Sequence, residues 1–303
     1  MKCVVCDSLD TFPFLRFERN PQVRSSWGVP SVSQTIYKCR ACALQFTDRQ
    51  VSMEEEEGMY DRSYQEKMAG SGGASERTTG APEQSQRRVE LVKKHAASGD
   101  LLDVGCSTGI FLEKARAAGF AVWGLDLSEY ACQAARTRLG LGEDRIVQSG
   151  IAGARILDQR KFDVITAWDV IEHCAQPRED LARMAAALKP GGILVLRTPN
   201  TSSIFFQTAL WLSRATLGRV KFPLLSLYHS DHLVYFNPRS LGRMLERAGL
   251  KVEASVADPL LWKRFRYCEC QRGPLVNAGI GSLYFLGRAV GSGHGFIAVA
   301  RAP

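Results

Sequence analysis

The chain has 303 residues, 45% hydrophobic and 23% charged, enough for one globular domain of roughly 200 to 250 residues plus a smaller unit. Collagen, coiled coil and wholesale disorder are excluded. Lys and Arg total 39 against 31 for Asp and Glu, a formal balance of +8, which permits a polyanionic partner without demanding one.

Residues Met1 to Asp10 hold no basic stretch leading into an apolar run, and no window reaches a membrane span's run of about 18 apolar residues. The expected location is the cytoplasm. Nine cysteines in such a chain point to reduced thiols and a metal rather than a disulfide framework.

Four of them form two C-x2-C pairs, Cys3 with Cys6 and Cys39 with Cys42. Two residues between thiols let both sulfurs face one ion, and two such knuckles complete the S4 shell that zinc prefers. The 32 intervening residues exceed the usual spacing of about 15 to 20, which requires a longer hairpin. The other reading is four unrelated small core residues. With every corner a protein thiolate, such a zinc is structural and supplies much of the folding free energy of a module over residues 1–50. Next come an acidic run, Glu54 to Glu57, and a polar Gly/Ser/Thr-rich stretch from Ala69 to Pro82. Residues 51–83 read as a linker or lid segment, in which Tyr60 and Tyr64 stand at helical spacing.

From Gln84 the pattern turns regular: a helix to about Ala97, the apolar run Leu101 to Val104, a glycine turn and a helix through Ala118. Strand-like runs recur at Ala121–Leu125, Arg145–Gln148, Phe162–Ala167 and Ile193–Thr198. This alternation predicts an α/β domain over residues 84–303, a mostly parallel, doubly wound sheet with helices on both faces.

In Asp103-Val104-Gly105-Cys106-Ser107-Thr108-Gly109, the glycines allow close backbone approach to a ligand and tight helix packing. Asp126 lies 21 residues past Gly105, at the end of the next strand, where a carboxylate can accept from both hydroxyls of a ribose. The turn lacks the full G-x-G-x-x-G of dinucleotide sites. Asp103 beside it would repel a pyrophosphate and suits a cationic ligand. A ligand with ribose and positive charge is implied, and S-adenosylmethionine (SAM) has both.

These motifs, with Phe162-Asp163-Val164-Ile165 and Leu188-Lys189-Pro190-Gly191-Gly192, resemble those of class I SAM-dependent methyltransferases over roughly Gln84 to Arg301. The resemblance implies a Rossmann-like sheet of seven strands whose last, here Gly295 to Ala300, runs antiparallel. It further implies that Gly105 and Cys106 line the methionine moiety and Asp126 and Leu127 the ribose and adenine, with Asp103 and Gly109 also candidate cofactor-site residues. Tyr60 and Tyr64 would fold over the cofactor, and Trp168 would line it. The chain departs from the pattern at Ser107, where glycine is commoner, and in lacking an acid over residues 149–152, so adenine falls to backbone and apolar contacts at Gly150 and Ile151.

After the fourth strand comes Trp168-Asp169-Val170-Ile171-Glu172-His173, at the sheet end where ligands bind in open α/β folds. Three readings stay open: a turn whose polar groups satisfy backbone; a general base at His173, whose ordinary pKa of about 6.5 leaves it neutral; or a Mg2+ site of Asp169, Glu172 and His173. The last resembles the arrangement in polyprenyl-dihydroxybenzene O-methyltransferases of ubiquinone synthesis. A second cluster, Tyr228-His229-Ser230-Asp231-His232-Leu233-Val234-Tyr235-Phe236, is similar to stretches near the acceptor pocket of bacterial small-molecule methyltransferases. His173, His229 and His232 are the candidate bases.

Residues 201–236 form an insertion, its aromatic part, Thr201 to Leu212, followed by Arg214, Arg219 and Lys221. It could cap an acceptor pocket, lie on a membrane surface, or make a homodimer contact. The expected activity is methyl transfer to a hydroxyl or amine of a small metabolite, natural product or glycan sugar, with the cysteine module shaping the acceptor pocket or a dimer. The alternative resembles zinc-containing rRNA guanine methyltransferases, against which stand scattered basic residues with no aromatic-interleaved stripe. A third is a SAM-binding scaffold without turnover.

Overall fold

A computed structural model describes residues 1–18, 33–48, 81–220, 222–229, 231–258 and 274–303. Tyr60, Tyr64 and most of the linker lie outside the described residues, as do Lys221 and Ser230.

Within each strand of the main sheet, neighbouring side chains serve opposite faces, the pleat's period of two. Strands β4 (Gly99–Val104), β5 (Phe120–Asp126), β7 (Phe162–Trp168), β8 (Leu188–Pro199) and β11 (Gly295–Arg301) send Leu101, Val122, Val164, Val195 and Ile297 to one core. They send Leu102, Trp123, Ile165, Leu194 and Phe296 to the other. Helices α1 (Ala81–Lys93), α2 (Ile110–Ala117) and α3 (Glu129–Leu139) cover the first face through Val92, Phe111, Leu112 and Ala135. Helices α5 (Pro177–Ala186) and α8 (Pro238–Arg247) cover the second through Leu181, Met184, Leu241 and Leu245. Strand β6 (Ile146–Gln148) and helix α4 (Arg155–Gln159) lie between α3 and β7 in the chain.

The sheet order is β10-β11-β8-β7-β4-β5-β6. Strands β4 to β8 pair in parallel, and β11 runs antiparallel to both its neighbours. Seven strands with an antiparallel last one is the expected arrangement. Strand β10 (Lys251–Asp258) escaped the sequence pattern. It is an edge strand, rich in charged and small residues, that packs one side only.

Strands β1 (Thr11–Phe17), β2 (Gln34–Cys39) and β3 (Gln45–Thr47) form an antiparallel hairpin sheet of the amino-terminal module. Its fourth strand is β9 (Val234–Tyr235), from the insertion. Two further helices of that insertion, α6 (Ile204–Ala215) and α7 (Phe222–Leu227), precede β9, and α9 (Pro274–Ala289) precedes β11. Among the described residues the module shares its interior with the main domain: Val5, Leu44 and Phe46 belong to the same apolar cluster as Leu102, Ile165 and Leu241.

Candidate active site

The candidate residues gather at the carboxyl ends of β4, β5 and β7. At the end of β4 the chain turns at Gly105, whose φ of 74° favours glycine; an added Cβ would come within 2.5 Å of Val170 Cγ2. Its N–H and that of Cys106 both donate to the Leu125 carbonyl, at 2.7 and 3.0 Å, which ties the turn to β5. The Cys106 side chain is buried and packs towards Gly124, where a Cβ would stand 2.7 Å from its sulfur. Only its backbone is left for the turn. Gly109 lets α2 approach α3 at Ala135.

Asp126 ends β5 as a hub. Ser107 N–H donates to one carboxylate oxygen at 2.8 Å and Ser128 N–H to the other at 3.0 Å, and burial raises its pKa. Leu127, half-buried, follows it, and Ser149 N–H donates to the Asp126 carbonyl at 3.0 Å. That bond brings Gly150 and the buried Ile151 alongside. Asp103 is buried on β4, accepts from Thr166 Oγ1 at 2.6 Å, and burial pushes its carboxyl up to about 8.

Trp168 ends β7 with its ring edge-on to Phe111 at 5.3 Å and its buried Nε1 without a hydrogen-bond partner among the described residues. The Arg88 guanidinium lies over the ring face, 4.5 Å from its centroid, and pairs with Asp169 at 3.4 Å. Arg88 was not among the residues read from the sequence. The signal was its place four residues before the buried Val92, a charge on the apolar stripe of a helix.

The proposed Mg2+ trio does not assemble. Asp169, in the left-handed region at φ 63°, is committed to Arg197 and Arg88, and Arg197 also holds Asp258 at 2.9 Å. Glu172 and His173 instead meet His232, their donor atoms all within 4.8 Å of one another. Two imidazoles and a carboxylate suit a nitrogen-tolerant ion better than Mg2+.

Glu172 is 1% exposed, with both carboxylate oxygens buried, and burial pushes its carboxyl up to about 8 against the opposing pull of its own backbone N–H and the Thr198 hydroxyl. His173 Nδ1 donates to the Asp231 carbonyl at 2.9 Å, which orients the ring. Its ring stands 4.7 Å from that of His232, which in turn is 5.1 Å from His229. Burial, reinforced by His173 and His229, holds His232 well below the usual imidazole pKa, and its Nδ1 has no partner among the described residues. All three candidate bases therefore converge.

A sheet of this order, with a glycine turn and an acid on adjacent strand ends, defines a Rossmann-like nucleotide-binding enzyme. Residues 78–255 match the family described as methyltransferase domain. Ubiquinone biosynthesis O-methyltransferase of Nitrosospira multiformis is 29% identical over 170 residues, 55% of this chain and 69% of that protein. Its counterpart in Aromatoleum aromaticum is 30% identical over 169 residues, covering 54% and 70%. The structure of a SAM-dependent methyltransferase from Archaeoglobus fulgidus matches with a TM-score of 0.51 at 18% identity, covering 75% of this chain and 96% of that one. The chain belongs to the methyltransferase domain family and is a class I SAM-dependent methyltransferase.

Proposed function

We propose that this enzyme methylates a hydroxyl of a small molecule, as the names of its relatives indicate for them. The observation that carries this reading is the convergence of Glu172, His173 and His232, whose ligand atoms all lie within 4.8 Å of one another at the ligand end of the sheet. Gly105, the Cys106 backbone and Trp168 on one side and Asp126, Leu127, Gly150 and Ile151 on the other would hold SAM, which would supply the methyl group. Arg88 would meet its carboxylate and Asp126 its ribose hydroxyls. The sulfonium is already a good leaving group, so alignment supplies most of the acceleration. His173 Nε2 takes the hydroxyl proton as the oxygen–methyl bond forms and the methyl–sulfur bond breaks.

A second reading of the same cluster, favoured by its three convergent donors, is a divalent ion that would acidify the hydroxyl. Activity lost to a chelator and restored by Mn2+ supports the ion; unchanged activity supports the base.

The four cysteines fit zinc. Cys3 and Cys42 sulfurs are 3.6 Å apart and those of Cys6 and Cys39 3.5 Å, too far for disulfides and close to the roughly 3.8 Å edge of a tetrahedron with Zn–S near 2.3 Å. No helix among the described residues is long and apolar enough to cross a membrane.

The deciding experiment incubates cell extract with the enzyme and methyl-labelled SAM, then separates small-molecule, lipid, protein and RNA fractions. Label in a small-molecule fraction, lost in His173→Ala, is expected; label in RNA alone would overturn the reading.

A further inference from the structure

We infer that the amino-terminal cysteine module is a positioning device for the acceptor end of the site, with Gln45 and Tyr228 as its central link. The inference rests on the assignment of the histidine cluster to the acceptor end. Among the described residues of the segment carrying His229 and His232, two are strand, Val234 and Tyr235. One edge of it is held by the module. Strand β3 pairs with it at Gln45↔Tyr235 and Phe46↔Val234, Thr47 N–H donates to the Leu233 carbonyl at 2.9 Å, and Asn237 Nδ2 donates to the Ala43 carbonyl at 3.0 Å. At the buried centre, Tyr228 Oη donates to Gln45 Oε1 at 2.6 Å.

The other edge of the same segment faces the chemistry. Leu233 and Val234 N–H donate to the Glu172 carbonyl at 2.8 and 3.0 Å, the Asp231 carbonyl accepts from His173 Nδ1, and Tyr235 Oη holds the His229 carbonyl at 2.7 Å. The segment is thus clamped between β3 and the turn after β7. The cysteine knuckles set β3, since Cys39 N–H donates to the Leu44 carbonyl and Ala43 N–H to the Cys39 carbonyl. The hydrogen bonds that shape the cofactor end, at Gly105, Cys106, Ser107 and Asp126, all stay within the main domain. A device built this way acts on the acceptor end and leaves SAM binding alone.

The variants that test it are Tyr228→Phe, which removes the bond to Gln45 and little volume, Gln45→Leu, the double of these two, and Cys39→Ser, which opens the cysteine cluster. Readouts are hydrogen exchange of the amides of residues 231–237, acylation of His232 by diethyl pyrocarbonate, and calorimetry with S-adenosylhomocysteine. Exchange and acylation should quicken by about tenfold or more while the nucleoside affinity stays within about threefold. In the double variant Gln45→Leu/Tyr228→Phe, exchange should be no faster than in the worse single variant. Unchanged exchange in Tyr228→Phe overturns the assignment of the link, even if Cys39→Ser fails to fold. Affinity falling in step with exchange overturns it too, since the module would then support the whole domain. Normal turnover by His173→Ala and His232→Ala would instead remove the acceptor assignment and leave the exchange result standing.

Discussion

Gly105 shows how a single backbone angle dictates a residue type. At a φ of 74°, a side chain costs about 1–2 kcal/mol, and the new Cβ must also displace Val170. Gly105→Ala should lower stability by about 1–2 kcal/mol in urea melts and weaken S-adenosylhomocysteine at least about tenfold by calorimetry. Asp103 gives a pH signature. Burial raises its folded-state pKa to about 8 from an ordinary 3.8, so the folded protein binds the extra proton. The stability this contributes is complete below the unfolded value and is lost as pH rises through the folded one. Urea midpoints should therefore fall between about pH 4 and 8, and Asp103→Asn should flatten that slope. The glycine turn and Asp126 were legible in the sequence because local backbone geometry and strand spacing fix them. Arg88 was not, nor was the meeting of Glu172 with His232, since both depend on elements brought together only by tertiary packing. Asp169 misled for the same reason: its neighbours in sequence suggested a cation, while its neighbours in space are two arginines.

At the level of elements, the central strands declared themselves through apolar runs buried on both faces. Strand β10, exposed at the edge, had no such run to show. The short β9 could not be read either, because two residues carry no period and its partner lies in another part of the chain. Helix α8 is better marked. Asn237 and Ser240 form a reciprocal capping box with Pro238 at the first position, the preferred start of a helix. Asn237 also bonds the Ala43 carbonyl, so Asn237→Ala should cost about 1–2 kcal/mol by thermal or urea melt, the upper part of the range for a lost cap.

Across the whole molecule, the amino-terminal module and the methyltransferase domain share one apolar interior. Lys2, Arg178 and Arg247 cluster around Asp7 at their seam; exposed pairs of this kind contribute little, and the join is made by packing. Far- and near-ultraviolet signals should unfold in one coincident transition, with Phe46→Ala lowering the midpoint of all probes together at a cost of about 3–5 kcal/mol. A separate early transition for the cysteine module would contradict this. The sequence showed two units because it could show only their separate motifs; the surface they share is invisible until the chain is folded.

The pairing of Phe46 with Val234 also bears on how the protein is born. A ribosome adding about 5–20 residues each second releases β3 on the order of ten seconds or more before its mate emerges. Throughout that interval the nascent hairpin presents a bare strand edge and an uncovered aromatic ring, the features that invite misassociation. Translation speed and chaperone supply should therefore govern the yield of active enzyme more strongly than for a methyltransferase lacking this early-made, late-satisfied strand.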